Sequence, residues 1–302
     1  MWQEAWQSGK RELLLERLRE NKQAQWDVVV AGGGITGAGI AREAARRGLS
    51  VLLVDRQDFA WGTSSRSSKM VHGGLRYIAS GDIKTTKHSV SERERLMKEA
   101  PGLVDETGYL MAHYKGVFPG PFVFNSLLRI YDFLAGKKYR KFHKLMAFER
   151  LSPLINDESL IGGTQFADAV TDDSRLVIRV LREAQEDGAE VLNYIGVDSL
   201  IKENGQVVGA QLKNAENDEV YSVRSKVIIN ATGAWADELR GEVSDEKHIR
   251  PARGSHLVVP SWRLPVAQAY TAMHPDDKRP IFIFPWEGRT IIGTTDLDHE
   301  NI

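Results

Sequence analysis

The sequence predicts an α/β protein of two domains, and three observations carry that prediction. Asp27 to Asp55 reads as an apolar β-branched run, a glycine turn, an alanine-rich helical stretch and a second apolar run ending on a carboxylate. That is a complete βαβ unit. The same α/β rhythm lapses over Lys84 to Leu160 and returns from Gly162 to Gly233. At 302 residues the chain also exceeds what one hydrophobic core readily fills.

The first unit sets the chemistry. Gly32, Gly34 and Gly37 stand as G-x-G-x-x-G at the mouth of the helix, with Gly33, Ile35 and Thr36 between them. Directly after a strand, this otherwise common pattern becomes informative. The three glycines serve different ends: a tight turn, an approach of backbone to pyrophosphate that a Cβ would block, and close packing of helix on sheet. Asp55 closes the second strand about 20 residues later, where a carboxylate accepts from both hydroxyls of an adenosine ribose and repels a 2′-phosphate. Arg56 follows it. A glycine-rich turn in a nucleotide-free domain is the competing reading, and it leaves strand, helix and carboxylate together unexplained.

Composition narrows the classes. The 40 basic and 41 acidic residues nearly cancel, so neither nucleic acid nor a polyanionic partner is expected. Without cysteine the chain forms no disulfide, thiolate nucleophile or Cys-ligated metal site, and no metal is expected. It carries neither a signal peptide nor an apolar run of about 18 residues, so a soluble, cytoplasmic protein is expected, with surface contact to a membrane left open. Residues 1–25 form a charged, helical extension carrying Trp2, Trp6, Leu13, Leu14, Leu15 and Leu18. Tryptophans and basic residues suit an anionic membrane surface, but four glutamates oppose it, so a helix packed on the first domain is preferred.

After Asp55 comes DFAWGTSSRSSKMVHGGLRY, in which Thr63, Ser64, Ser65, Ser67 and Ser68 form a dense hydroxyl cluster followed by Lys69, His72, Gly73, Gly74, Arg76 and Tyr77. A polar loop is the usual fate of such sequence. Following the ribose carboxylate, however, it is expected beside the nucleotide, where hydroxyls and bare N–H groups bind pyrophosphate and face a ring system.

Residues 84–160 alternate charged helical patterning with aromatics, punctuated by Pro101, Pro119, Pro121 and Pro153, and read as a few helices linked by turns. Phe122, Phe124, Leu127, Leu128, Ile130, Tyr131 and Leu134 suit a core, with a lipid-facing patch as the alternative. Asp172 and Asp173 begin a helix running to Gly188, as caps rather than catalysts. A strand from Glu190 to Val197 follows, then a strand pair around Glu203-Asn204-Gly205. Val227 to Asn230 leads into Ala231-Thr232-Gly233, small residues that let backbone pass close to a flat cofactor. Beyond Ala236 the chain leaves that domain. His256 to Pro260 reads as a strand, and Ile281 to Trp286 with Thr290 to Thr294 as an antiparallel pair around Glu287-Gly288.

Taken in order, GGGITGAGIAREAARRGLSVLLVD, GTSSRSSKMVHGGLRY, DDSRLV, NATGAW, RGSH and IIGTTD resemble the FAD-dependent glycerol-3-phosphate dehydrogenase family, whose relatives include glycerol-3-phosphate oxidases. The resemblance runs from about Asp27 to the last residue, and the GTSSRSSKMVHGGLRY string is its specific part. Asp55 stands where relatives often have glutamate, and either carboxylate serves a ribose.

The resemblance implies a Rossmann-like FAD-binding domain of the glutathione-reductase/D-amino-acid-oxidase type with an inserted α+β substrate domain built on an antiparallel sheet. Residues 26–93 and 163–240 would form the discontinuous FAD-binding domain, and 94–162 with 241–302 the substrate domain. FAD would be held by Gly32, Gly33, Gly34, Ile35, Thr36, Gly37, Asp55, Arg56 and Thr63 to Ser65. Ser67, Ser68, Lys69, His72, Gly73, Gly74, the main chain of Val197, Ala231, Thr232, Gly233 and Trp235 would complete that set. His256 would take or relay the hydroxyl proton of glycerol 3-phosphate, and Arg76, with Lys69, Tyr77 and Arg253, would hold its phosphate. The implied product is dihydroxyacetone phosphate, with electrons passed to a quinone and contact on the inner face of the cell membrane. An oxidase using oxygen, a non-catalytic FAD-binding chain and a homodimer stay open. Family members continue with a V-R-P-L arginine and a G-G-K-L-T-T-Y-R segment that completes their flavin site. Both are absent here, so a truncated form lacking the C-terminal part of the FAD domain is expected.

Overall fold

The computed structural model describes residues 9–21, 24–153, 155, 158–274 and 279–299. Trp2 and Trp6 lie outside the described residues, as do the side chains of residues 76, 79 and 273. The chain forms two units, Met1–Ser67 with Asp173–Pro251 and His299–Ile302, and Ser68–Asp172 with Ala252–Asp298. The first begins with α1 (Lys10–Glu20), β1 (Gln25–Ala31), α2 (Ile35–Arg46) and β2 (Val51–Val54). The second takes β3 (Met70–Val71), α3 (Leu75–Ala79), α4 (Ile83–Glu99), β4 (Val104–Tyr114), α5 (Pro121–Ala135), β5 (Lys141–Lys144), α6 (Leu145–Leu151) and β6 (Leu160–Thr171). The first resumes with α7 (Asp173–Glu186), β7 (Glu190–Leu192), β8 (Ile195–Glu203), β9 (Gln206–Asn214), β10 (Val220–Asn230) and α8 (Ala236–Arg240). Six strands return to the second: β11 (Ala252–Arg253), β12 (His256–Pro260), β13 (Ala269–Met273), β14 (Pro280–Trp286), β15 (Arg289–Gly293) and β16 (Leu297–Asp298).

In the first unit a six-stranded sheet runs β7-β2-β1-β10-β9-β8, parallel as far as β10 and antiparallel beyond it. β1 and β2 are almost continuously apolar because both faces are covered, as a parallel strand requires. α2 and α7 cover one face through Ala38, Ala41, Ala45, Val177, Leu181 and Ala184. On the other, α1 buries Leu14, Leu15 and Leu18 against Trp26, Val29 and Leu52, so this helix packs on the first unit. Arg19 pairs with Glu219, Arg17 with Glu190, and the Arg17 guanidinium lies 4.9 Å from the Trp26 ring centre. The expected strand Glu190 to Val197 is two strands. β7 pairs with β2, the chain turns at Tyr194 with φ +56°, and β8 pairs with β9. The Tyr194 and Ile195 N–H groups donate to the carbonyls of Gln57 and Asp55, which fixes that turn. The β8–β9 hairpin closes on Asn204 and Gly205, both at positive φ, as the two-residue turn demands.

The second unit is α+β, with a sheet ordered β12-β15-β14-β13-β4-β6-β3 and β5 beside β6. Only β13 and β4 run parallel within it. The expectation of helices and turns over residues 84–160 is corrected here. β4 is an eleven-residue strand paired with β6 along its whole length, and β5 adds a second. Its pattern of buried and exposed residues is interrupted at Glu106 to Gly108, which hides the period of two. α5 is two-faced: Phe124, Leu128 and Tyr131 are buried, whereas Phe122 and Phe133 are each 84% exposed. The sequence expectation of a core helix thus holds for one face only.

Boundaries between the units also differ from those expected. Residues 163–172 lie with the second unit because β6 is a central strand of its sheet, and 68–93 join it through β3, α3 and α4. Residues 241–251 stay with the first, where Glu242 accepts from the Leu200 N–H and Asp237 from those of His248 and Ile249. Among the described residues no helix is long and apolar enough to cross a membrane.

Leu181 is fully buried between α7, α2 and the sheet. Leu181→Ala should destabilise the first unit by about 2–5 kcal/mol, read as a shift of the urea midpoint by circular dichroism. A loss below about 1 kcal/mol would mean that α7 does not pack there as described.

Candidate functional site

A cavity of about 890 Å³ opens in the first unit where β1 gives way to α2. Its floor is built from backbone. Gly32 sits at φ +111°, and a Cβ there would meet the Ala231 carbonyl oxygen at 2.4 Å. A Cβ on Gly37 would stand 1.9 Å from the Gly32 oxygen, so α2 can approach β1 only with glycine at both positions.

Many of the residues singled out in the sequence meet at this cavity. Gly32, Gly34, Ile35, Thr36, Asp55, Arg56, Thr63, Ser64, Val197, Ala231, Thr232, Gly233 and Trp235 all line it. The Gly33 N–H donates to Asp55 Oδ2 at 2.6 Å, and the Gln57 N–H to Oδ1 at 2.8 Å, so the carboxylate holds the glycine turn to the end of β2. Ser64 Oγ accepts from the Ile35 N–H at 3.0 Å, satisfying one orphan donor of the α2 N-terminus. Gly33, Gly37, Ser65 and Ser67 belong to the same unit but are not among the lining residues, and Ser67 bonds Asp173 through its hydroxyl at 2.7 Å. Asp173 also accepts from the Ser174 N–H, in keeping with a capping role.

Trp61 was not expected. It lines the cavity with Trp235 at a ring separation of 5.8 Å, with Arg66 over the first ring and Arg56 over the second. Arg56 is tied in turn to Glu238 at 3.0 Å. A tryptophan next to the G-T-S-S turn is the only sequence signal for this arrangement.

The remaining candidates belong to the second unit. Ser68 Oγ lies 2.9 Å from Nε2 of His256, the first residue of β12. Lys69 stands in the left-handed region at φ +56°, its Nζ 5.1 Å from the Trp286 ring centre. The indole N–H of Trp286 donates to the Thr171 carbonyl, and the Thr171 N–H to that of Lys69. His72 Nδ1 lies 2.8 Å from Asp168 Oδ2, and the Gly73 N–H donates to Oδ1 at 3.0 Å. A Cβ on Gly73 would collide with the Tyr131 hydroxyl at 2.0 Å, and one on Gly74, at φ +81°, with the Tyr77 ring at 2.8 Å. The H-G-G motif is therefore shaped by Asp168, Tyr131 and Tyr77. Arg253 lies exposed on β11, its carbonyl accepting from the Thr295 hydroxyl. Asp168 had no sequence signal beyond a lone acid in the small-residue run of β6.

The profile of the FAD dependent oxidoreductase family matches residues 27–302. The aerobic glycerol-3-phosphate dehydrogenase of Bacillus subtilis is 41% identical over 284 residues, covering 92% of this chain and 51% of that protein. That of Staphylococcus haemolyticus is 39% identical over 293 residues, covering 95% and 53%. Among solved structures, glycerol-3-phosphate dehydrogenase from Bacillus halodurans complexed with FAD superimposes with a TM-score of 0.78 at 33% identity, covering 98% of this chain and 52% of that one. The chain spans about half the length of the curated relatives it matches.

Burial pushes the Asp55 carboxyl above the usual carboxylate range, against the N–H bonds from Gln57 and Gly33 that favour its charged form. A carboxyl raised in the folded state contributes stability at acid pH that is lost as pH rises through the raised value. Comparing wild type with Asp55→Asn by urea denaturation from about pH 3 to about pH 7, the wild-type advantage should shrink as pH rises and then level off. An advantage that grows with pH would contradict the assignment.

Proposed function

The chain belongs to the FAD dependent oxidoreductase family, and from that premise we propose that its first unit binds the adenosine and pyrophosphate of FAD. The reaction proposed is oxidation of sn-glycerol 3-phosphate to dihydroxyacetone phosphate in glycerol catabolism. What carries the reading is the cavity at the glycine turn, of cofactor size and lined by Gly32 and Gly34. The relatives that bear the activity in their names match nearly the whole of this chain.

The residues fit the cofactor. Donors at the start of α2 favour a diphosphate, with Thr63 and Ser64 beside them. Asp55 has the acceptors for two ribose hydroxyls and disfavours a 2′-phosphate. Val197 offers main chain to the adenine, and Ala231 to Gly233 offer a bare wall. Trp235 and Arg56 flank the opening. When bound, FAD supplies the hydride acceptor for the alcohol carbon. In the second unit, His256 would take or relay the hydroxyl proton, with Ser68 hydrogen-bonded to Nε2. Arg76, Lys69, Arg253 and Tyr77 would bind the phosphate, since guanidinium and ammonium donors match its oxygens. The left-handed backbone of Lys69 supports its place in that set, because such strain costs about 1–3 kcal/mol and collects at working sites. Ser65, Ser67, His72, Gly73 and Gly74 are proposed for the flavin half, so that the first unit acts as the FAD-binding domain and the second as the substrate domain.

Quinone is the proposed electron acceptor, reached from the inner face of the cell membrane through peripheral contact. The apolar side chains that α5 leaves exposed, Phe122, Ile130 and Phe133, support such contact.

The test is the visible spectrum of the purified chain after incubation with FAD, with glycerol 3-phosphate then added anaerobically. A bound flavin spectrum that bleaches is the expected result, and reoxidation by a quinone analogue rather than by oxygen would fix the acceptor. Bound flavin that stays oxidised would reduce the proposal to cofactor binding. Failure to bind FAD would defeat it. Asp55→Ala should weaken FAD binding about 10- to 100-fold, the loss of charge-assisted hydrogen bonds worth about 1.5–3 kcal/mol, measured by flavin fluorescence.

A further inference from the structure

The second unit holds a buried polar cluster to which the reading above gives no role. Arg93 on α4 is 1% exposed as a side chain, yet it is charged. Its guanidinium donates to Asp168 Oδ1 at 2.9 Å, to the Tyr131 hydroxyl and to Glu94 at 2.7 Å. The Tyr131 hydroxyl leans on the same Asp168 oxygen at 3.4 Å, and burial pushes that phenol up, so it stays a donor. Glu94 extends the cluster outward to Lys137 at 2.7 Å and to the Tyr139 hydroxyl at 3.2 Å. A guanidinium and a carboxylate taken out of water are costly unless each is fully bonded, and hydrophobic residues of the same volume would commonly serve stability as well. Stability alone therefore gives weak grounds for this arrangement.

Its outlet is His72. Asp168 Oδ1 faces Arg93, Tyr131 and the Gly73 N–H, while Oδ2 faces His72 Nδ1 at 2.8 Å. An ionised carboxylate only accepts, so the proton of this bond sits on His72 Nδ1. The imidazole packs against the rings of Phe282 and Tyr109, at 5.5 and 6.3 Å between centres, which limits its rotation. Its side chain is nevertheless 43% exposed, whereas Asp168 and Arg93 directly behind it are buried. Lys137, at the far end, is the surface cation that closes the cluster. Adjacent Gly73 leaves room for the Tyr131 hydroxyl, which a Cβ there would meet at 2.0 Å.

We propose that Asp168, fixed by Arg93 and Tyr131, is a positioning residue that locks His72 as the Nδ1–H tautomer and presents Nε2 outward as a proton acceptor. The role is that of a carboxylate orienting a histidine base, achieved with groups from β6, α4 and α5. It rests on the reading that the second unit presents the substrate side, and adds to it a second histidine whose accepting nitrogen is set by the fold.

The test reads the tautomer directly in the full chain. Long-range ¹H–¹⁵N correlation, with the His72 signals assigned by their loss in His72→Gln, should show the Nδ1–H form. Asp168→Asn alone strands the Arg93 charge, so the decisive variant is Asp168→Asn with Arg93→Met, which removes both charges together. In that variant His72 should leave the Nδ1–H form, and flavin reduction by glycerol 3-phosphate, compared at saturating FAD, should fall by about 10²-fold or more. A wild-type His72 in the Nε2–H form overturns the proposal, as does a folded double variant with unaltered tautomer or unaltered reduction. If wild type binds no FAD or is not reduced, the reaction proposed above fails, and the tautomer measurement still decides whether Asp168 orients His72.

Discussion

Main chain meeting main chain at Gly32 is the constraint on which the first unit depends. The Gly32 oxygen faces Gly37 across the first turn of α2, and the Gly32 α-carbon faces the Ala231 carbonyl at the end of β10. Three elements thus converge with no side chain between them. The sheet opens there because α2 leaves one face of it while β1 and β10 continue side by side. Asp55 braces the opening by carrying the Gly33 and Gln57 N–H groups on its two oxygens. Packing supplies the rest of the cohesion, through apolar clusters on both faces of the sheet.

What the sequence disclosed follows the range of the interaction involved. The glycine turn, the helix after it, the hairpin at Asn204-Gly205 and the β14–β15 turn at Glu287-Gly288 are decided by residues a few positions apart, and each stands where the pattern put it. The leucines of α1 were likewise readable, since an amphipathic helix carries its own signature. β4 was not: its partner β6 lies far along the chain, and Glu106 to Gly108 break the alternation that would have marked it. The Asp168 cluster was invisible for the same reason, because its members come from β6, α4, α5 and the H-G-G turn. The break at Tyr194 was missed because the turn is enforced by the carbonyls of Asp55 and Gln57, which are remote in sequence.

The two units use charge differently. Around α1 and α7 ion pairs such as Arg19–Glu219 and Arg42–Glu183 lie at the surface, where water and salt weaken them and each contributes little. In the second unit charge is carried inward by Arg93 and Asp168 and surrounded by aromatic rings. There the low dielectric strengthens every bond that is made and penalises every one that is not, as at the buried Arg93 Nε, which has no partner among the described residues. Such a cluster fixes side-chain geometry more firmly than it raises stability.

The parallel pairing of β1 with β10 also has a bearing on how the chain is made. Val28 pairs with Val227, so the central seam of the first sheet cannot form until a ribosome has delivered the strand that follows the whole of the second unit's first segment. Until then β1 and β2 expose nearly unbroken apolar runs along an unpaired edge, the kind of surface that recruits other chains. The β4–β6 ladder closes over a much shorter stretch and is complete before β10 emerges. Contacts of such long sequence separation make slow folders. Synthesis of this protein therefore leaves a nascent βαβ unit waiting for its partner, and an interval in which a chaperone has something to hold.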